Sequence, residues 1–122
     1  MGKIYTAYYQ NGTERIAADM SIGRANLFYQ MTLLAEHYVQ IPSGIAEENG
    51  QDEYPVEAET FLRFFERFWE IGWLGDTHGL FHNWARYAAG MVESIKGKPV
   101  EWIDRYGERL TIIRSGGSNE LA

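Results

Sequence analysis

His78 and His82 stand four residues apart in DTHGLFHN, with Asp76 just upstream, so on a helix the two imidazoles share a face and could hold a zinc ion between them. A hydrolytic zinc motif needs glutamate directly after the first histidine to act as general base, and Gly79 stands there instead. His37 is a third ligand only if its own helix lies alongside. Histidines at helix ends more often have no metal role, so this pair is kept as the lesser alternative, and no metal or other cofactor is expected. Carboxylate pairs are plentiful, Glu57 with Glu59 and Glu66 with Glu70 among them. Such a pair does acid–base work only where its two environments differ, and Glu66 and Glu70 share a polar strip with Arg63 and Arg67, which reads as a solvated, salt-bridged face. Glu47, Glu48, Asp52 and Glu53 miss the spacing of a calcium loop.

The remaining motifs of catalysis are missing. No G-x-x-x-x-G-K-[ST] or G-x-G-x-x-G phosphate loop occurs, and none of the serines sits in a G-x-S-x-G elbow. Cysteine is absent, which removes disulfides, thiolate metal sites and a thiol nucleophile together. The expectation is therefore a protein that is not an enzyme.

Charge is more informative. The net charge is −6, which disfavours direct nucleic-acid binding, since phosphates are met by clustered Lys and Arg. Eight acids and two bases lie between Glu47 and Glu70, so that window holds the whole excess. Directly within it comes ETFLRFFERFWEIGWLG, with six aromatic side chains from Phe61 to Trp73. On a helical wheel its apolar positions cover roughly 200°, about twice the stripe that a helix packed on one side needs. An acidic rim beside surplus aromatic surface describes a protein-binding site, with rings as anchors and carboxylates steering a basic partner. The candidate partner-binding residues are Glu47, Glu48, Asp52, Glu53, Glu57, Glu59, Glu66 and Glu70 together with Phe64, Trp69 and Trp73. A buried aromatic helix, or a homodimer contact through it, is the competing explanation of the same surplus.

These residues must be positioned by a small α+β fold. KIYTAYYQNGTERIAAD reads as a hairpin turning at Asn11-Gly12, with Tyr9 opposite Glu14, Ala7 opposite Ile16 and Tyr5 opposite Ala18, that face turned to the core. From Ser21 the period becomes helical, burying Leu27, Phe28, Met31, Leu34, Ala35 and Tyr38 and stopping before Pro42. SGIAEENGQDEY reads as an exposed acidic loop. Pro55 opens the aromatic helix and Gly75 closes it. Asp76 or Thr77 caps a third helix with a buried stripe of Phe81, Trp84, Ala88, Met91, Val92 and Ile95, and Ala88, Ala89 and Gly90 offer the aromatic helix a close approach. VEWIDRYGERLTIIR reads as a second hairpin with Gly107 left-handed at its turn, a short helix over 99–106 being the rival. The two hairpins are expected to join in a small antiparallel sheet packed on a helical layer, as a single globular domain over 1–114 with a flexible tail over 115–122.

The N-terminal residues show no signal-peptide pattern and no run is long and apolar enough for a membrane span, so the expected setting is cytoplasmic with no membrane partner. No family motif is matched. In size and charge the chain resembles the inhibitors encoded by phages and mobile elements, such as anti-CRISPR proteins, and the immunity proteins that neutralise toxins. That resemblance implies a non-enzymatic acidic inhibitor docking on a basic, nucleic-acid-binding surface of a target protein. The alternatives are a small-molecule-binding domain or enzyme with an aromatic pocket, and a self-associating structural subunit.

Overall fold

The computed structural model describes residues 2–71 and 78–115. Its elements are β1 (Gly2–Tyr8), β2 (Glu14–Ser21), α1 (Ile22–Val39), β3 (Glu53–Glu57), α2 (Ala58–Ile71) and α3 (His78–Lys96). The strands form one mixed sheet in the order β2-β1-β3, antiparallel between β1 and β2 and parallel between β1 and β3. The fold is α+β, with the three helices packed on one sheet face. No helix among the described residues is long and apolar enough to cross a membrane.

The first hairpin forms at the expected place with a different turn. Tyr9 and Thr13 close the loop through Tyr9 N to Thr13 O at 2.9 Å and Gly12 N to Tyr9 O at 3.0 Å. Gly12 alone takes positive φ, at 90°, while the Asn11 side chain accepts from Thr13 N and Oγ1. This is the bulged three-residue loop rather than the two-residue one. Near the turn the register therefore slips by one, giving Tyr8↔Glu14, Ala7↔Arg15 and Thr6↔Ile16. A bulge between Tyr5 and Thr6 restores Tyr5↔Ala18. A one-residue slip reverses which face a side chain takes, so Ile16, expected in the core, points outward and Ala17 takes up the bulge, buried beside Ala18.

The third strand corrects two expectations. The sheet is not purely antiparallel, and its last strand comes from the acidic segment rather than from a C-terminal hairpin. Tyr54 and Val56 point inward against Tyr5 and Ala7, and the Tyr5 and Tyr54 rings stack at 4.7 Å. Pro55 lies inside this strand instead of opening α2, which starts at Ala58. The Pro55 carbonyl accepts from Ala46 N on the outer edge, so the missing proline N–H faces away from β1 and breaks no ladder bond. At the C-terminus, Ile103↔Arg109 is an isolated bridge around a turn with Gly107 at φ 84°. From there residues 110–114 run across α3 as a strap. Ile113 N donates to Arg86 O at 3.1 Å, and Glu93, with no exposure, receives a two-pronged Arg114 at 2.6 and 2.8 Å. Gly90 makes this crossing possible, since a Cβ there would sit 2.2 Å from Ile113 O. The small-residue surface thus receives the strap where the aromatic helix was expected.

The core is aromatic and centred on α2 and α3. Phe61, Phe64, Phe65 and Phe68 have no exposure, and the expected α3 stripe is buried throughout. Trp84 donates its indole N–H to Thr32 Oγ1 at 2.9 Å, and the Thr32 hydroxyl donates in turn to Phe28 O at 2.7 Å, so the indole N–H and the hydroxyl are both satisfied. In α1 the buried stripe is Ala25, Phe28, Thr32, Ala35 and Val39. It shares Phe28 and Ala35 with the expected one but is rotated from it by about a quarter of a turn, leaving Leu27, Leu34 and Tyr38 at the surface. The expected helix stop at Gly75, caps at Asp76 or Thr77 and the tail beyond Ser115 lie outside the described residues.

Candidate functional site

The alternation of β-strand side chains divides the sheet into two chemically distinct faces. Tyr5, Ala7, Ala18, Tyr54 and Val56 meet the helices. Their neighbours face outward: Ile4, Thr6 and Tyr8 from β1, Glu14, Ile16 and Asp19 from β2, Glu53, Pro55 and Glu57 from β3. Among the described residues no helix covers this face, and a shallow depression on it is lined by Ile4, Thr6, Glu14, Arg15, Ile16, Gln51, Asp52 and Glu53. Five carboxylates gather there, from Glu14, Asp19, Asp52, Glu53 and Glu57. Arg15 does not neutralise them, because it lies opposite Ala7 on the helical side of β2 and its guanidinium donates to Ser94 O at 3.1 Å.

Glu53 is the best-fixed charge of the group. Tyr8 donates to its Oε2 at 2.7 Å and Asn49 Nδ2 to its Oε1 at 2.6 Å. The Tyr8 hydroxyl above all, then the Thr6 hydroxyl and Asn49, hold the Glu53 carboxyl below the usual carboxylate range. The same bond pushes the Tyr8 phenol up to about 12. A hydrogen bond to the charged form of one partner and the neutral form of the other has this opposite effect on the two. Neither group changes protonation near neutrality, so the pair is a fixed negative charge rather than a proton shuttle. Replacing Tyr8 by phenylalanine is expected to raise the Glu53 titration midpoint toward the ordinary carboxylate range, read by side-chain NMR; an unmoved midpoint would show that Tyr8 does not hold it. By linkage, a carboxylate with a lowered folded-state pKa stabilises the fold above its unfolded pKa and loses that contribution as pH falls through the folded value. Tyr8→Phe should therefore flatten the stability curve on its acid limb.

The eight acids expected to form one patch separate into two groups. Glu47, Glu48, Asp52, Glu53 and Glu57 follow β3 and the loop before it; Glu48 Oε2 accepts from Asp52 N at 2.8 Å, and Glu57 Oε2 from the Thr60 hydroxyl at 3.2 Å. Glu59, Glu66 and Glu70 lie on α2, on the helical side of the sheet, where Glu70 pairs with Arg67 at 3.3 Å. Two acids distant in sequence, Glu14 and Asp19, join the first group through the register of β2. A period of two from Ile16 reaches Glu14 but not Asp19, which the bulge at Ala17 brings to the same face.

The aromatic half of the expected site is corrected more sharply. Phe64 has no exposed surface and packs edge-on against Trp84, so it cannot meet a partner. Trp69 is half-buried with its ring 5.3 Å from Trp102, and Phe65 meets the same indole at 4.9 Å. The wide apolar arc of α2 is thus used twice within the molecule, by α1 and α3 on one side and by the C-terminal segment on the other. Trp73 lies outside the described residues. So does the side chain of His78; His82 is half-buried, and among the described residues no three His, Cys, Asp or Glu side chains converge as metal ligands.

A second concavity opens between α1 and α3, with a volume of about 160 Å³ and walls of Leu27, Phe28, Met31, Leu80, Trp84 and Tyr87. It falls short of the roughly 300–1,000 Å³ usual for small-molecule sites. Its one charged group, Arg24, is stacked on Tyr87 at 4.7 Å. Compared with known proteins, the chain matches no family model, no curated protein and no solved structure.

Proposed function

We propose that this chain is a non-enzymatic protein-binding inhibitor that docks an acidic face on the basic, nucleic-acid-binding surface of a target protein, in the manner of the anti-CRISPR and immunity proteins it resembles in size and charge. The observation that carries the reading is the open sheet face: Glu14, Asp19, Asp52, Glu53 and Glu57 on a rigid three-stranded platform, with Ile4, Ile16 and Pro55 between them. Carboxylates spaced along strands can take the places of backbone phosphates and compete for the same Lys and Arg. The apolar residues among them supply the uncharged contact that a specific interface needs at its centre. Tyr8 fixes the direction of Glu53 in advance, which reduces the entropy lost on docking. Glu66 and Glu70, on the helical side and partly paired with arginine, are not part of this face.

The test is competitive capture. The immobilised chain is expected to retain a basic nucleic-acid-binding protein from a prokaryotic lysate and to release it when DNA or RNA is added. A variant carrying Glu14→Gln, Glu53→Gln and Glu57→Gln should retain little of it while keeping its fold by circular dichroism. Retention that neither competitor nor neutralisation reduces would refute the proposal.

A further inference from the structure

Helix α1 carries a second apolar line that the core covers only in part: Met31 rests against it and the Tyr38 ring lies 6.1 Å from Phe81, while Leu27 and Leu34 stay open. Leu27, Met31, Leu34 and Tyr38 succeed one another at steps of four, three and four residues, the spacing of a coiled-coil seam. Leu27 is 51% exposed, Leu34 52% and Tyr38 39%; Leu80 of α3, beside Leu27 and Met31 along the groove, is 64% exposed. A contiguous apolar strip of this kind on a small protein marks a contact surface.

The spacing and the charge both select the occupant. Four, three, four reads the same in either direction, with its midpoint between Thr32 and Leu33. A two-fold axis at that point lays α1 antiparallel on the α1 of a second copy, setting Leu27 against the copy's Tyr38 and Met31 against its Leu34, which is a closed isologous pairing. The net charge of −6 makes copies repel over most of their surface. Among Asp, Glu, Lys and Arg, α1 has only Arg24 and Glu36, and Glu36 is occupied elsewhere, accepting from Ser43 N at 2.9 Å and from the Ser43 hydroxyl. Gly23, Gln30 and His37, which flank the seam, add no acid. The antiparallel arrangement also brings Arg24 to the last turn of the copy's α1, the negative end of its helix dipole. The groove beside Leu27 gives the copy's Tyr38 a recess at each end of the seam.

We infer that α1, with Leu80, is the interface of a homodimer formed by a second copy of this chain. It is independent of the acidic sheet face, which lies on the other side of the sheet, so one dimer presents two docking faces. The absence of cysteine makes disulfide trapping clean. Met31→Cys mixed with Leu34→Cys is expected to give a cross-linked pair under mild oxidation, whereas Leu33→Cys, exposed on the opposite flank, should not cross-link with itself. Sedimentation velocity should show twice the chain mass, with the dissociation constant raised at least about tenfold by Leu34→Glu, as for a lost apolar anchor. Leu80→Glu should weaken the dimer in the same direction, and Leu33→Glu should leave it unchanged. A monomer from micromolar to millimolar concentration, or a dimer indifferent to Leu34→Glu and Leu80→Glu, would overturn the inference.

Discussion

Replacement of Trp84 by alanine is expected to remove about 3–5 kcal/mol of stability, the usual loss when a large aromatic is cut from a packed core. The indole lies within ring contact of Phe28, Phe64, Phe65, Phe68 and Phe81, at centroid separations from 4.8 to 6.1 Å. It is where α1, α2 and α3 meet. Its N–H bond to Thr32 adds a directional tie between α3 and α1. A domain of this size is stable by only about 5–15 kcal/mol, so the variant should unfold near room temperature or at a urea concentration far below that of the parent. A midpoint shift equivalent to less than about 1 kcal/mol would be too small for a residue at the centre of the core, and would contradict the packing described.

Gly90→Ala should destabilise as well, which is informative because the ordinary expectation has the opposite sign. Alanine in place of glycine inside a free helix gains about 1 kcal/mol. Here the added Cβ would lie 2.2 Å from the Ile113 carbonyl oxygen, so helix or strap must move. Overpacking typically costs about 1–3 kcal/mol. Displacing the strap also pulls Arg114 from Glu93, and a fully buried carboxylate deprived of its partner is worth about 3–5 kcal/mol of destabilisation. Arg114 is half-exposed, which screens part of that, and a net loss of about 2 kcal/mol or more is expected. Urea unfolding measures it. Amide exchange should at the same time become faster at Ile113, whose N–H is tied to Arg86. A stabilised variant would mean that the strap is not seated on α3.

The legible parts of the fold are those written in one local period. The α3 stripe was readable because Phe81, Trp84, Ala88, Met91, Val92 and Ile95 define a single arc. In α1 two apolar lines compete, and nothing local tells Phe28 and Ala35, which the core buries, from Leu27 and Leu34, which stay about half exposed. β3 was hidden for a similar reason. EYPVE alternates in strand fashion, but its inward residues are only Tyr54 and Val56, its outward ones are acids and proline, and its partner β1 lies some fifty residues earlier. At the C-terminus Trp102 and Leu110 do pair through the backbone, Leu110 N donating to Trp102 O at 2.9 Å. The ladder goes no further, because α3 offers the chain a better seat at Gly90.

For the candidate site, charge could be read from the sequence and direction could not. The excess of acids around Glu53 was visible in composition. That Glu57 faces outward with Glu53, while Glu59 two residues on belongs to a helix, depends on the strand ending at Glu57. Glu14 and Asp19 depend on a register that a single bulge sets. The aromatic surplus of α2 was real on the wheel, and among the described residues Phe65 and Trp69 spend it on Trp102, a residue of the segment expected to build sheet.

The docking of carboxylates on a basic surface is tested most directly by salt. The dissociation constant for the captured target is to be measured from low to physiological ionic strength, where exposed charges are screened beyond about 8 Å, for the parent chain and for the Glu14→Gln, Glu53→Gln, Glu57→Gln variant. The parent is predicted to bind more weakly by a steep power of salt concentration and the variant along a markedly shallower line. Equal affinity at both ends of the range, or the same slope for both proteins, would contradict it.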